Sequence, residues 1–525
     1  MVKVLISDKM SPRAKEVFED AGVDVDVITG LDEAGLIKII GDYDGLAIRS
    51  STTVTPKVLE AATNLKVIGR AGIGVDNVDI PAATAAGVVV MNTPFGNAIT
   101  TAEHAIAMMM SLSRQIPHAN ESTQQGKWEK SKFMGVEVTN KSLGIVGCGN
   151  IGSIVANRAQ GLKMKVFAFD PYLTDERAVE LGIKKVTLDE LFAKVDFISL
   201  HTPLVDGTRG MINAKSIASM KDGVRIINCA RGGLVVEKDL KAALESGKVA
   251  GAAFDVFAEE PAKENVLFGV PNMVCTPHLG ASTNEAQVNV AVQVAEQLSD
   301  YLVNGGVTNA LNMPSLSAEE APRLKPYMSL AKNLGSFAGQ LSESGLKSIK
   351  IEYQGHVATL NTKPLTAVLL EGLLTPLLSS VNMVNAPAVA KDRNIDIVES
   401  TREKEGAYHT LIKLTVETEK QTRSVSGTLF SNGTARLVEV ADIALECEFS
   451  DHMLYVVNDD KPGFIGALGS LLGYTGVNIA TFALGRQEAG KKAISLIAID
   501  QEMPNIVLDQ VVALAHVRQA KRLRF

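Results

Sequence analysis

The feature that most constrains this chain is Gly147-Cys-Gly149-Asn150-Ile151-Gly152, which lies between an apolar strand, Leu143–Gly147, and a helix that runs to about Gln160. A G-x-G-x-x-G is common on its own. Between a strand and a helix it has a mechanical meaning. The first glycine permits the tight turn, the second lets the backbone approach a pyrophosphate, and the third lets the helix pack closely on the strand. The helix N-terminus then offers unpaired N–H groups to the phosphates. The next strand, Lys165–Asp170, ends on a carboxylate roughly 20 residues on, where it can hold the ribose hydroxyls of an adenosine and repel a 2′-phosphate. This pattern predicts NAD rather than NADP. The competing reading is a ligand-free glycine turn followed by a solvated Asp170, and the strand–turn–helix context disfavours it.

Around this motif short apolar strands alternate with helical stretches. Val2–Ser7, Leu46–Ile48, Leu65–Ile68 and Val88–Met91 read as strands, followed by an Ala- and Met-rich helix over Thr100–Leu112. Beyond the glycine turn come strands Phe197–Leu200, Arg225–Asn228, Gly251–Phe254 and Met273–Thr276, then a helix Glu285–Leu302. Such alternation predicts parallel, doubly wound sheets. Asn312–Pro314 and Pro322–Pro326 read as a linker, after which β-rich stretches such as Leu411–Val416 and Ser424–Phe430 take over. From about Met453 the pattern reads strand, helix, two strands and a closing helix.

The chain has 525 residues, so at ~150 residues per domain three or four domains are expected. A net charge of -7 gives no electrostatic basis for a nucleic-acid partner. Cys148, Cys229, Cys275 and Cys447 are far apart and form no C-x-x-C, which argues against a disulfide framework or a metal site. The N-terminus reads as a strand rather than a leader, and the most apolar run, Leu365–Val384, is broken by Glu371 and Pro376. A cytoplasmic protein with no membrane contact is the expectation.

Three segments place polar residues just after strands, where open α/β sheets build their sites. They are Asn228-Cys-Ala-Arg231-Gly-Gly, Asp255-Val-Phe-Ala-Glu259-Glu260-Pro261 and Thr276-Pro277-His278-Leu-Gly280. Oxidising an alcohol needs a base for the hydroxyl proton, and a histidine suits this. It also needs a cation for a substrate carboxylate and the developing carbonyl oxygen, and an arginine fork suits that. A neighbouring carboxylate can orient the histidine and favour its protonated form. Singly, Arg231 could be a surface cation, Glu260 a helix-start acid and His278 a turn residue. Their joint occurrence after the glycine motif favours chemistry. His104, His118 and His201 lack metal-ligand spacing and read as structural.

The order GCGNIG, HTPL at His201–Leu204, NCARGG, DVFAEEP and TPHLGAST resembles the D-2-hydroxyacid dehydrogenases. The resemblance covers roughly residues 1–313. It implies a catalytic set of Arg231, Glu260 and His278, with cofactor contacts at Gly147, Gly149, Asn150, Ile151, Gly152, Asp170, Thr202, Cys229, Ala230, Asp255 and Gly280. It also implies two Rossmann-like domains, one interrupted by the other: a substrate domain of residues 1–97 and 286–313, and a nucleotide domain of residues 98–285. Within the family, Gly69–Asn77, Leu46–Ser51 and Gly126–Gly135 look like the branch that oxidises 3-phosphoglycerate, and this places Arg49, Arg70 and Asn97 at the substrate. A glyoxylate or hydroxypyruvate reductase, and a non-catalytic NAD(H)-sensing binding protein, are the alternatives on the same scaffold.

The chain continues well past residue 313. Residues 314–449 match the additional α+β domain of the long enzymes of that branch. In this stretch Lys363 and Lys391–Arg393 could meet an anion, although a solvated face is the simpler reading. Residues 450–525 resemble an ACT domain, a small ββαββα-like ligand-sensing module, through Asp459-Asp460-Lys-Pro-Gly463 and Gly476-Val-Asn478-Ile. The resemblance implies L-serine as an effector at Asn458, Asp460 and Asn478, bound where two such domains pair, and hence a homo-oligomer, dimer or tetramer.

Overall fold

A computed structural model of the chain describes residues 2–316, 320–378, 381–404, 406–431 and 433–525. Residues 317–319, between the two expected linker segments, and two positions of the apolar run, 379 and 380, lie outside the described residues.

The first sheet has five parallel strands in the order Asp24–Val27, Lys3–Ile6, Gly45–Ile48, Val67–Arg70, Val89–Asn92. The strand Asp24–Val27 escapes a hydrophobic reading because it is an edge strand with the sequence DVDV, of which only Val25 is buried. The second sheet has seven parallel strands in the order Met273–Cys275, Val249–Phe254, Val224–Asn228, Phe197–Leu200, Ser142–Val146, Lys165–Phe169, Lys184–Lys185. Its central strands are buried on both faces, as helices on either side require. The long helix Asn284–Asn304 returns to the first sheet. Its start is capped by Thr283, whose Oγ1 accepts from Ala286 N–H, and it ends at Gly305 in a left-handed conformation.

The segment Pro322–Pro326, expected to be linker, opens the helix Ala321–Leu341. Pro322 falls in the first turn, where its missing N–H has no intrahelical partner to lose, and Pro326 costs one bond early in a long helix. That helix packs against a second one, Lys363–Leu374, which the β-rich reading of this region had passed over. Glycines let the two backbones approach: a Cβ on Gly335 or Gly339 would meet the carbonyl oxygens of Leu369 and Leu373 at 2.1 and 2.2 Å. A further helix, Ala386–Asp392, and a six-stranded mixed sheet complete this part.

The tail forms a four-stranded antiparallel sheet in the order Ile479–Arg486, Lys492–Ile499, His452–Asp459, Val517–Arg524. The expected closing helix, Asn505–Val512, is present, but a charged strand follows it, so the order is βαββαβ rather than ββαββα. One apolar cluster runs from Val4 and Phe18 through Val294 and Leu298 to Leu334, Leu369 and Ile412, and on to Tyr455 and Leu496. The first sheet, the middle region and the tail therefore share a core, while the seven-stranded sheet has its own. Among the described residues no helix is long and apolar enough to cross a membrane.

Candidate active site

Two cavities meet at the carboxyl ends of the two parallel sheets. One, of about 710 Å³, is lined by Arg49, Arg70, Asn97, Glu260 and His278. The other, of about 690 Å³, is lined by Gly149, Asn150, Ile151, Thr202, Cys229, Ala230, Arg231 and Gly280. Arg70, Asp76, Asn97, His278 and Ala281 line both, so they are two halves of a single cleft.

The glycine motif shapes the second half. Gly147 turns at a φ of 90°. A Cβ on Gly152 would lie 2.1 Å from the Gly147 carbonyl oxygen, so only glycine lets the helix start this close to the strand. At Gly149 a Cβ would meet nothing within 4 Å, which leaves open space in front of the first helical N–H groups. Asp170 accepts from Cys148 N–H and Tyr172 N–H, both at 2.8 Å, so its carboxylate is held beside the turn. The hydroxyl oxygen of Thr202 is buried with no hydrogen-bond partner among the described residues. These residues fit a dinucleotide.

His278 lies on a left-handed turn at a φ of 57°. Asp255 builds that turn. Its carbonyl oxygen accepts from His278 N–H at 2.9 Å, and its carboxylate accepts from Leu279 N–H at 2.7 Å, Gly280 N–H at 2.8 Å and Thr276 Oγ1 at 2.6 Å. His104 Nε2 is 3.2 Å from the same carboxylate. Burial pushes Asp255 up, but the bonds from His104, Thr276 and Leu279 outweigh it and hold the group below its ordinary value. Asp255, expected at the cofactor, borders the cavity that holds Glu260 and His278. With 0% of the residue exposed and its carboxylate surrounded by donors, it supports the loop that carries His278. His104, read from sequence as merely structural, belongs to the same support.

His278 Nδ1 lies 2.6 Å from Glu260 Oε2, and Glu260 Oε1 accepts from Phe257 N–H at 3.0 Å. The bond from Glu260 raises the His278 pKa over the opposing effect of burial. Burial pushes Glu260 up, but the bonds from His278 and Phe257 outweigh it and leave the group below its ordinary value. Glu259 makes no such contact, so the glutamate directly before Pro261 is the one brought to the histidine.

Arg70, the last residue of the strand Val67–Arg70, faces the cleft together with Arg49 and Arg231, which lie on the loops after Gly45–Ile48 and Val224–Asn228. The buried Nε atoms of Arg49 and Arg70, and Oδ1 of Asn97, have no hydrogen-bond partner among the described residues. Burial, then the neighbouring Arg231 and Arg49, push the Arg70 pKa down to about 10. The Arg49 loop is fixed by Asp8, which accepts from Arg49 N–H at 2.6 Å and from Thr52 N–H and Oγ1, and by Asn77, which donates to the Arg49 and Thr52 carbonyls. Sequence reading passed over Asp8. Its signal is a buried carboxylate directly after the first strand.

Asn458, Asp460 and Asn478 are not gathered into one site within a chain. Asp460 pairs with Arg486 at 3.0 Å, while Asn478 donates to Asp500 at 2.6 Å. Arg486 and Asn478 flank the strand Ile479–Arg486 at opposite ends, about 25 Å apart at the ordinary strand rise. Asn458 is 1% exposed, and its side-chain amide donates to the Asp459 carbonyl.

Comparison with known proteins agrees with this geometry. Residues 106–280 match the family of D-isomer specific 2-hydroxyacid dehydrogenases, NAD binding domain, and residues 323–441 match the D-3-phosphoglycerate dehydrogenase intervening domain. A crystal structure of a glyoxylate reductase from Paecilomyes thermophila superposes with a TM-score of 0.55 at 31% identity, covering 59% of this chain and 98% of that one. An NAD+-bound 3-phosphoglycerate dehydrogenase from Entamoeba histolytica superposes with a TM-score of 0.51 at 30% identity, over 59% of this chain and 98% of that one. Structural likeness over that part of the chain does not separate the two. Full-length similarity does: the chain is 44% identical to the D-3-phosphoglycerate dehydrogenase of Synechocystis over 526 aligned residues, covering 99% of this chain and 94% of the relative. With this match and the intervening domain, the chain belongs to the D-3-phosphoglycerate dehydrogenase family.

Proposed function

We propose that this chain oxidises the C2 hydroxyl of 3-phospho-D-glycerate to the ketone of 3-phosphohydroxypyruvate, the first step towards L-serine. NAD, when bound in the half of the cleft around Gly147–Gly152, supplies the hydride acceptor. The observation that carries the substrate assignment is the pair of buried, unpartnered guanidinium nitrogens on Arg49 and Arg70, in the same cavity as His278 and Glu260. Arg49 also donates from Nη1 to the Lys9 carbonyl at 3.1 Å, but both Nε donors remain unused among the described residues. Two inward cations with such spare donors are a site for a dianion, and a phosphate is the group that makes full use of them. Asn97 Oδ1 is free to accept from a substrate hydroxyl.

In this reading neutral His278 takes the hydroxyl proton at Nε2, because Nδ1 is engaged by Glu260. Glu260 then stabilises the imidazolium. Arg231 holds the substrate carboxylate and the oxygen that becomes a carbonyl. Asp170 reads the adenosine ribose, and Thr202, Cys229, Ala230 and Gly280 border the cofactor. The domain limits that go with this are 1–97 with 286–313 for substrate and 98–285 for nucleotide, followed by 314–449 and 450–525.

Serine regulation belongs to the same proposal. Since Asp460 and Asn478 sit at opposite ends of one sheet, a site using both requires two paired tails, hence a homo-oligomer. Serine acts at a distance only by preferring one of two states. The shared apolar core between the tail and the first sheet offers a physical route. The cytoplasm is the proposed location.

The test is NADH formation by the purified full-length protein with 3-phosphoglycerate. Turnover with this substrate supports the reading, and its absence alongside turnover of hydroxypyruvate or glyoxylate with NADH replaces it with the reductase alternative.

A further inference from the structure

Arg231 does not stand free in the cleft. Its Nε donates to Asp76 Oδ2 at 3.0 Å, and its Nη1 donates to the adjacent Ala230 carbonyl at 2.7 Å. The two partners lie on different domains. Arg231 follows the strand Val224–Asn228 of the seven-stranded sheet, while Asp76 lies on the glycine-rich loop after the strand Val67–Arg70 of the five-stranded sheet. On that loop Gly74 is a notch for the guanidinium, since a Cβ there would lie 2.0 Å from Arg231 Nη2. Asp76 and Arg231 both line the half of the cleft around the glycine motif, and Asp76 also lines the half that holds Arg49 and Arg70.

We infer that Asp76 is a positioning residue that aims Arg231 across the cleft, so that this cation, held on its own side only by the Ala230 carbonyl, takes its full orientation when the two domains face each other. The inference rests on the role proposed for Arg231. Three features of the contact carry it. It uses Nε, while Nη2, seated over Gly74, makes no hydrogen bond among the described residues. It spans the domain gap, so the fork is fixed from the substrate side although its backbone belongs to the nucleotide side. It also sets a carboxylate among three mutually repelling cations: Asp76 and Asp8 oppose the effect of Arg231 and Arg49 on Arg70. The Asp76 side chain is 68% exposed, so its contact adds little to folding stability. What it supplies is geometry, and reacting groups displaced by about 1 Å lose on the order of a hundredfold in rate.

The experiment measures kcat and KM for 3-phosphoglycerate and for NAD in the wild type, Asp76→Ala and Asp76→Asn, with thermal unfolding as a control. Asp76→Ala should lose roughly tenfold or more in kcat/KM for phosphoglycerate, leaving the KM for NAD and the unfolding temperature unchanged. Asp76→Asn keeps an acceptor for Nε and should recover part of the loss. In an Arg231→Lys background, which has no Nε edge to hold, Asp76→Ala should cost nothing further. If the loss is the same in both backgrounds, or if Asp76→Ala matches or exceeds the wild type, Asp76 does not act through Arg231. A wild type that turns over no phosphoglycerate strikes the proposed reaction instead, so the two failures are distinguishable.

Discussion

Arg70 pits stability against function, and replacing it with methionine separates the two. The folded environment moves its pKa from the ordinary 12.5 to about 10, through burial first and then through Arg231 and Arg49. At 1.36 kcal/mol per decade, this disfavours the charge by about 3 kcal/mol at most. Methionine keeps much of the aliphatic stem and removes the charge, so Arg70→Met relieves part of that cost. The same change removes a donor whose buried Nε has no partner among the described residues. Truncating a hydrogen bond to a charged group costs about 1.5–3 kcal/mol, or roughly 10- to 150-fold in kcat/KM for phosphoglycerate. Thermal unfolding of the substrate-free protein should therefore occur at an equal or higher temperature, while phosphoglycerate loses its ability to raise it. Steady-state kinetics should show the loss on phosphoglycerate with little change in the KM for NAD. A variant that unfolds earlier yet keeps wild-type phosphoglycerate kinetics refutes this account of Arg70.

Other outcomes follow from the same geometry. His278→Ala should lower turnover ~10²- to 10⁴-fold while NADH still binds, measured by fluorescence titration. Because Glu260 raises the His278 pKa, oxidation, which needs neutral His278, should increase as pH rises through that raised value, and reduction should decline over the same range. Glu260→Gln should move both limbs to lower pH, and limbs that stay in place would detach Glu260 from the histidine. Asp170→Ala should narrow the gap between NAD and NADP in kcat/KM, since the carboxylate that repels a 2′-phosphate is gone; an unchanged ratio shows that Asp170 does not read the ribose. L-Serine should bind the full-length protein in calorimetry and slow it, with Asp460→Ala weakening both effects, and a protein that neither binds serine nor slows in its presence has a tail devoted to packing or assembly.

The parallel sheets were legible because their strands are apolar runs closed by glycine or polar residues, and the glycine motif fixes the local backbone by itself. Elements whose signal is not apolar were hidden. Asp24–Val27 and Val517–Arg524 are half-polar outer strands, stabilised by pairing with a buried neighbour that sequence alone does not supply. Pro322 and Pro326 look like helix breakers until the helix is seen to begin at Ala321. In the site, the side chains proposed as catalytic carry their own chemistry and stand out at strand ends. The roles of Asp255 and Asp76 depend on contacts 24 and 155 residues away along the chain, with Leu279 and Arg231, which only the folded arrangement creates.

In the proposed reaction Arg49 and Arg70 read a phosphate in the cavity that holds His278. The most direct measurement is the ratio of kcat/KM for 3-phosphoglycerate to that for D-glycerate, with NAD saturating. The two substrates differ only in the phosphate. Two charge-assisted contacts of about 1.5–3 kcal/mol each predict a ratio on the order of a hundred or more, falling towards one in Arg49→Ala/Arg70→Ala. A wild-type ratio near one, or a large ratio that survives the double substitution, would contradict the assignment.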